Sequence, residues 1–173
     1  MNEIFVTDAR AGLEQGIALL RRLSPAQYVA RSPACFNSSI GGHIRHNHDH
    51  FACFFDGLPR SEVDYDARTR DPRIETDPVH AALRLADAVH ALTGLDGSAL
   101  SRDLYVKMDS GSDARAWTCS TAARELQFLI SHTIHHYAMI AVICHGLCVT
   151  LDPAFGVAPS TLRRAQPMAP CAR

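Results

Sequence analysis

Four segments of the chain repeat apolar residues every three or four positions, which is the spacing of a helix with one buried face. Residues that can cap a helix lie near the first three starts, and Gly146 follows the fourth segment, where a left-handed residue would end a helix. The predicted helices span residues 7 or 8 to 23, 38 or 39 to 57, 76–78 to 94, and 120–145.

Two further segments connect these helices. Residues 60–77 are rich in Asp and Arg and contain Pro72, which predicts an exposed, solvated connector. The alternative is a lid over a nearby site, because long loops in compact domains are often functional. Residues 103–108 and 114–119 flank a polar turn and predict a small β-hairpin. The chain, residues 1–173, is therefore predicted to be one all-α domain. Its expected form is an antiparallel four-helix bundle with a small β-hairpin insertion before the last long helix.

Composition and charge narrow the classes of function. The chain is 47% apolar and 20% charged, as in an ordinary globular protein. Its 17 basic and 18 acidic residues give a formal charge of -1, so nothing favours binding to nucleic acid or to an anionic membrane surface. The first residues lack the pattern of a signal peptide, and no run of about 18 apolar residues is present, so we expect a cytoplasmic protein.

The six cysteines are scattered and include no Cys-x-x-Cys pair, so most are predicted to be reduced and buried. Cys144 and Cys148 are four residues apart on a predicted helix and could share a metal, although no second pair completes a sulfur site. The six are Cys35, Cys53, Cys119, Cys144, Cys148 and Cys171.

Histidines are the strongest chemical signal, since seven of the ten lie in two short clusters, one in the second predicted helix and one in the fourth. In the fourth helix, His132 and His136 fall within the apolar face, where an imidazole needs a hydrogen bond or a metal. Their four-residue spacing lets two ring nitrogens reach one ion. These two residues are the strongest candidate ligand pair.

A third ligand would come from the second helix. Periodicity favours His50 or His43, which lie near the edge of the apolar stripe, over His46, which lies further round the helix. His48 is expected on the solvated surface.

The two clusters resemble those of the DinB-like superfamily of metal-binding four-helix bundles. The resemblance lies in residues 39–51 (SIGGHIRHNHDHF) and 124–137 (RELQFLISHTIHHY), with 155–163 (FGVAPSTLR) similar to one branch of the group. It implies one histidine from the second helix and a His-x-x-x-His pair from the last long helix on a divalent ion, most commonly zinc or nickel. By this motif the ligands are His46, which has an acidic residue, Asp49, three positions later, together with His132 and His136.

The resemblance also implies a function. Three nitrogen ligands leave positions open, as in catalytic sites, and the family implies a metal-dependent hydrolase or a thiol-dependent transferase or isomerase. A small-molecule substrate, with a low-molecular-weight thiol as a candidate, and a homodimer are further expectations. Asp49, His135 and Tyr137, each next to a ligand in sequence or one turn away, are the candidate acid/base groups.

Two other metal sites are poorly supported. No Glu follows His132, as a zinc protease would need, and no paired Glu-x-x-His motifs indicate a di-iron bundle. The alternatives to an enzyme are a non-catalytic metal-binding or sensing bundle, in which His43, His50 and His135 complete the coordination, and a structural dimeric bundle whose histidines pair by hydrogen bonds.

Overall fold

The computed structural model describes residues 3–109, 111 and 116–165, and in this part the protein is mostly helical with two small sheets. Helix α1 packs against α5 and α7, and α3 packs against the same two helices. Their facing apolar side chains form the core. The four long helices are α1 (Glu3–Leu20), α3 (Ile40–Gly57), α5 (Pro78–Thr93) and α7 (Ala122–Gly146).

Side-chain caps fix the starts of three long helices. Ser39 Oγ accepts a hydrogen bond from the Gly42 amide at 3.0 Å and begins α3. Asp77 accepts from two amides at the start of α5, and Thr121 caps α7. Because these groups satisfy amides that lack helical partners, the predicted positions of α3, α5 and α7 are confirmed. Helix α1 begins and ends earlier than predicted.

Several short helices were not predicted. Ser24 caps α2 and Asp71 caps α4, and each is followed by a proline. A capping residue followed by proline is a sequence signal for the start of a helix. The short helices are α2 (Pro25–Val29), α4 (Pro72–Thr76), α6 (Gly97–Leu100) and α8 (Pro159–Ala165), with 3-10 turns at Pro33–Cys35 and Leu58–Arg60.

The larger sheet contains the predicted hairpin. Strands β4 (Asp103–Lys107) and β5 (Thr118–Thr121) are antiparallel, with Tyr105 opposite Cys119. Strand β5 begins at Thr118 rather than at 114, and most of the predicted turn lies outside the described residues. Strands β1 (Arg31–Ser32) and β2 (Ser38–Ser39) form a separate antiparallel pair.

The prediction of a solvated connector over residues 60–77 holds only in part, since many of its residues are exposed but the segment also forms a strand and a short helix. Strand β3 (Glu62–Asp64) pairs in parallel with β4, and Val63, Tyr65 and Ile74 are buried in the core. The Ile74 carbonyl accepts a hydrogen bond from the Tyr28 hydroxyl. The connector is therefore anchored near both of its ends.

The cysteine and helix-end predictions hold only in part. All five described cysteines are free, but only Cys35 and Cys144 are buried, while Cys119 and Cys148 are exposed. Cys171 lies outside the described residues. Helix α7 includes Gly146, and the left-handed residue beyond it is Cys148, with φ of 55°.

Helix α7 is long and apolar enough, by length and composition alone, to cross a membrane, with a mean hydropathy of 1.2. The sequence-based statement that no such segment exists does not hold by this criterion. A core helix of a soluble protein meets the same criterion, and α7 packs against α1 and α3.

Candidate metal centre

Helices α3 and α7 bring three histidines together. His46 comes from the second turn of α3, and His132 and His136 come from successive turns of α7. One ring nitrogen of each lies within 4.8 Å of the others. Donors around a tetrahedral ion with bonds of about 2.0–2.1 Å are about 3.3 Å apart, so small ring rotations would let all three reach one ion.

The donor set fits a metal in two further ways. Ring centroids are 4.5 Å apart for His132 and His136 and 4.7 Å apart for His46 and His136. His132 Nε2 is buried without a hydrogen-bond partner. An orphaned buried polar atom costs about 1–3 kcal/mol, and a metal bond would remove that cost.

Electrostatics keep these histidines neutral, which is the form that binds a metal. The pKa of His46 is lowered to about 4, that of His132 to about 3 and that of His136 to about 2. Burial is the largest cause in each case, because it disfavours the charged imidazolium. Neighbouring imidazoles lower the three pKa values further.

His43 lies behind His136 and contacts it directly. The two Nδ1 atoms are 2.9 Å apart, so one of them carries the shared proton. When His136 is the donor, its Nε2 lone pair is free for a metal. His43 is only 8% exposed, and its Nε2 has no partner. The arrangement can therefore fix the ring orientation of His136.

His50 is a buried neighbour of this group. Its Nδ1 lies 2.9 Å from the His46 carbonyl, which can only accept, so Nδ1 carries the proton. The ring lies 4.2 Å from that of His132 and stacks on Tyr65. The three-residue group whose donor atoms could share an ion contains His46 and the pair on α7, and His50 lies beside it.

The three candidate acid/base residues lie in different places. Asp49 is buried and its Oδ2 accepts a hydrogen bond from Arg45 at 2.8 Å, while His135 is exposed on the outside of α7. Tyr137 packs against Gly16 and stacks on Phe155, with centroids 4.8 Å apart. Consecutive helical residues are about 100° apart, so its position next to His136 in sequence turns Tyr137 away from the histidine group.

The expectation that His48 is solvated is wrong. Its side chain is 19% exposed, and Nδ1 lies 4.0 Å from Asp49 Oδ1. Both atoms are buried without a hydrogen-bond partner. The helical pattern alone could not indicate this partial burial.

Arg68 was not predicted as part of the site. It comes from the connector, and its Nη1 lies 3.4 Å from His46 Nδ1. The residue is half-buried, and its Nε has no partner. Nothing in the sequence marks this arginine among its charged neighbours.

A cavity of about 430 Å³ lies beside two aromatic rings that border the histidines. Tyr65 and Phe128 line it, and the same rings pack against His50 and His132. Glu125 also lines it and accepts a hydrogen bond from the Tyr65 hydroxyl at 3.0 Å.

The fold and the histidine group define a mostly helical protein with a potential mononuclear metal centre. The DinB superfamily model matches residues 11–140, so the chain belongs to the DinB superfamily, whose members bind metals.

The chain is also similar to two individual proteins. The crystal structure of YjoA, a DinB-like protein from Bacillus subtilis, superposes with a TM-score of 0.62 at 19% identity, covering 86% of this chain and 94% of that one. This likeness shows the fold. A protein of Rhizopus delemar named FK506-binding protein 5 is 32% identical over 105 residues, which are 58% of this chain and 27% of that protein. The match therefore spans about a quarter of the fungal protein.

Proposed function

We propose that this protein is a metal-dependent enzyme with a mononuclear site formed by His46, His132 and His136. The observation that carries the proposal is the convergence of three neutral imidazoles from two helices, with ligand atoms within 4.8 Å of one another. An all-nitrogen donor set of this kind suits zinc or nickel. Three ligands leave room for water or substrate.

A bound ion would lower the pKa of a water molecule, polarise a carbonyl or hold a thiolate. The reaction we propose is hydrolysis, or transfer or isomerisation with a low-molecular-weight thiol, on a small electrophilic substrate. In this scheme His43 orients His136, and His50 offers a lone pair on Nε2 beside the site. Asp49 and His135 lie close to the ligands in the chain, but Asp49 is engaged by Arg45, one turn earlier in α3, which also donates to Glu75 of α4.

The overall arrangement belongs to the same proposal. We infer that the four long helices form an antiparallel bundle and that the protein acts in the cytoplasm as a homodimer. Exposed apolar side chains on α5 support self-association, since Val79 is 70% exposed and Leu83 is 57% exposed. Light scattering of the wild type and of a Val79→Lys, Leu83→Lys double variant tests this. If the variant is still a dimer, the interface does not include these two residues.

Elemental analysis of untagged protein purified without chelator tests the site. We expect about one zinc or nickel ion per chain in the wild type, lost in His46→Ala and His136→Ala. His50→Ala should retain the ion, and His135→Ala is a matched control because it removes an exposed imidazole from the same helix.

Two outcomes would contradict the assignment. If His50→Ala loses the ion and His46→Ala retains it, the metal ligand on α3 is His50 and not His46. If the wild-type protein takes up neither zinc nor nickel, the histidines have a structural role. A protein that passes this test is then assayed with thiols and activated esters.

A further inference from the structure

Arg68 lies in the five-residue span between Tyr65, which is bonded to β4, and Asp71, which caps α4. Its guanidinium contacts His46, with Nη1 at 3.4 Å from Nδ1. A guanidinium has five donors and no acceptor, so the nitrogen of His46 must be the acceptor in this contact.

That contact is incompatible with metal ligation by His46. A neutral imidazole has one lone pair. If Nδ1 accepts from Arg68, Nε2 carries the proton and cannot bind an ion. If an ion binds either nitrogen, no lone pair remains for Arg68. When a metal ion binds, the Arg68 guanidinium therefore loses the His46 nitrogen as its hydrogen-bond acceptor. The guanidinium still lies beside the ion.

The charges around Arg68 leave it without a paired carboxylate among the described residues. Asp49 is paired with Arg45, and Asp64 is paired with Lys107. Asp66 is two residues away, and its Oδ2 is buried without a hydrogen bond. The Nε atom of Arg68 is likewise buried without a partner. A divalent ion on three neutral ligands would add further positive charge at the same place.

We propose that Arg68 binds an oxyanion, a carboxylate or phosphate group, on the small molecule that occupies the metal site. The planar fork of a guanidinium matches the two oxygens of such a group, and the paired hydrogen bonds are charge-assisted. The proposal rests on the metal site described above and adds a substrate class to it. Arg68 is then a specificity-determining residue, which the connector places beside the metal-binding histidines of α3 and α7.

Cobalt(II)-loaded protein provides a test that does not depend on turnover. The visible absorption of the ion reports on ligands at its open positions, and the probes are acetate, inorganic phosphate and, as a neutral reference, imidazole. We expect Arg68→Ala to weaken binding of acetate or phosphate by at least about tenfold. Imidazole binding should be unchanged, and cobalt affinity should be equal or higher, because a competitor for His46 is removed.

Two variants separate the guanidinium fork from general charge. Arg68→Lys keeps the charge but loses the paired donors, so intermediate affinity is expected. Arg70→Ala removes the same charge from an exposed position two residues away and should leave anion affinity unchanged. A preference for acetate over phosphate, or the reverse, identifies which oxyanion the site takes.

The outcomes distinguish this proposal from the one it rests on. Wild-type protein that binds no cobalt would refute the metal site itself. Protein that binds cobalt at one ion per chain, with equal anion affinity in wild type and Arg68→Ala, would overturn the role of Arg68 and leave the metal site intact. An equal loss in Arg70→Ala would show a diffuse charge effect and would also overturn it.

Discussion

Metal binding at mildly acidic pH should release almost no protons from this protein. The three proposed ligands have pKa values of about 4, 3 and 2, against about 6.5 for an exposed histidine. At pH 6.0 three ordinary histidines would carry about 2.3 protons in total, since each would be about three-quarters protonated. The buried ligands would together carry less than about 0.1 proton.

Titration calorimetry with zinc at pH 6.0 measures this difference. Repeating the titration in two buffers of different ionisation enthalpy gives the number of protons released per ion, and a matched titration of a chelator corrects for zinc bound to the buffer. Zinc-bound water ionises near pH 7 in sites of this kind, so it contributes little at pH 6.0. Release of about two protons per ion would refute the argument that burial keeps the ligands neutral.

The same pKa shifts predict loss of stability in acid. Below pH 6.5 the unfolded chain binds protons that the folded protein excludes, so stability is fully present above about pH 6.5 and falls as the pH approaches 4. Each histidine contributes at most about 1.4 kcal/mol per pH unit, and partial solvent exposure reduces this. Urea unfolding of the metal-free protein at pH 7.5 and 5.0 measures the effect, and equal midpoints would contradict it.

Three substitutions test individual contacts. His43→Phe should lower zinc affinity about 10–100-fold without removing a ligand, because His136 loses its orienting partner; unchanged affinity in a competition titration would exclude that role. Gly16→Ala should cost about 1–3 kcal/mol in urea unfolding, because the new methyl group meets the Tyr137 hydroxyl, and Tyr137→Phe should reduce that cost. Tyr137→Phe alone should retain the metal, and a metal-free variant would contradict its placement away from the site. Asp49→Ala should destabilise by about 1.5–3 kcal/mol, because it removes a charge-assisted hydrogen bond to the partly exposed Arg45, which keeps its ion pair with Glu75. A change under about 1 kcal/mol would show that the Asp49–Arg45 pair matters little.

Local signals predicted the long helices well. Ser39, Asp77 and Thr121 act as caps because their side chains satisfy free amides within three residues, so the information is local. Strand β3 could not be predicted in this way. It has three residues, and its structure depends on parallel pairing with β4, about forty residues later in the chain.

The candidate site was predictable in part for a similar reason. His132 and His136 share a helix, so their four-residue spacing places them together. The helical pattern favoured His50 because it finds the most buried position, and His50 is indeed 3% exposed. His46 is less buried and was indicated only by the family resemblance. An ion that keeps coordination positions open for other molecules must lie at the margin of the core. The degree of burial alone is therefore a poor guide to the residues that bind it. Arg68 depends on long-range folding of the connector and carries no local signal.

The anchoring of the connector has a consequence for how selectivity could change in this family of sequences. Strand β3 and helix α4 hold the chain on either side of residues 66–70, and Tyr65 and Ile74 are core residues. An insertion or exchange within these five positions would alter the group presented to the ligands without moving a helix of the core. With the proposed role of Arg68, fold and ligand preference would be encoded in separable parts of the chain, and different short spans grafted between Tyr65 and Asp71 should give proteins with the same histidine group and different ligands.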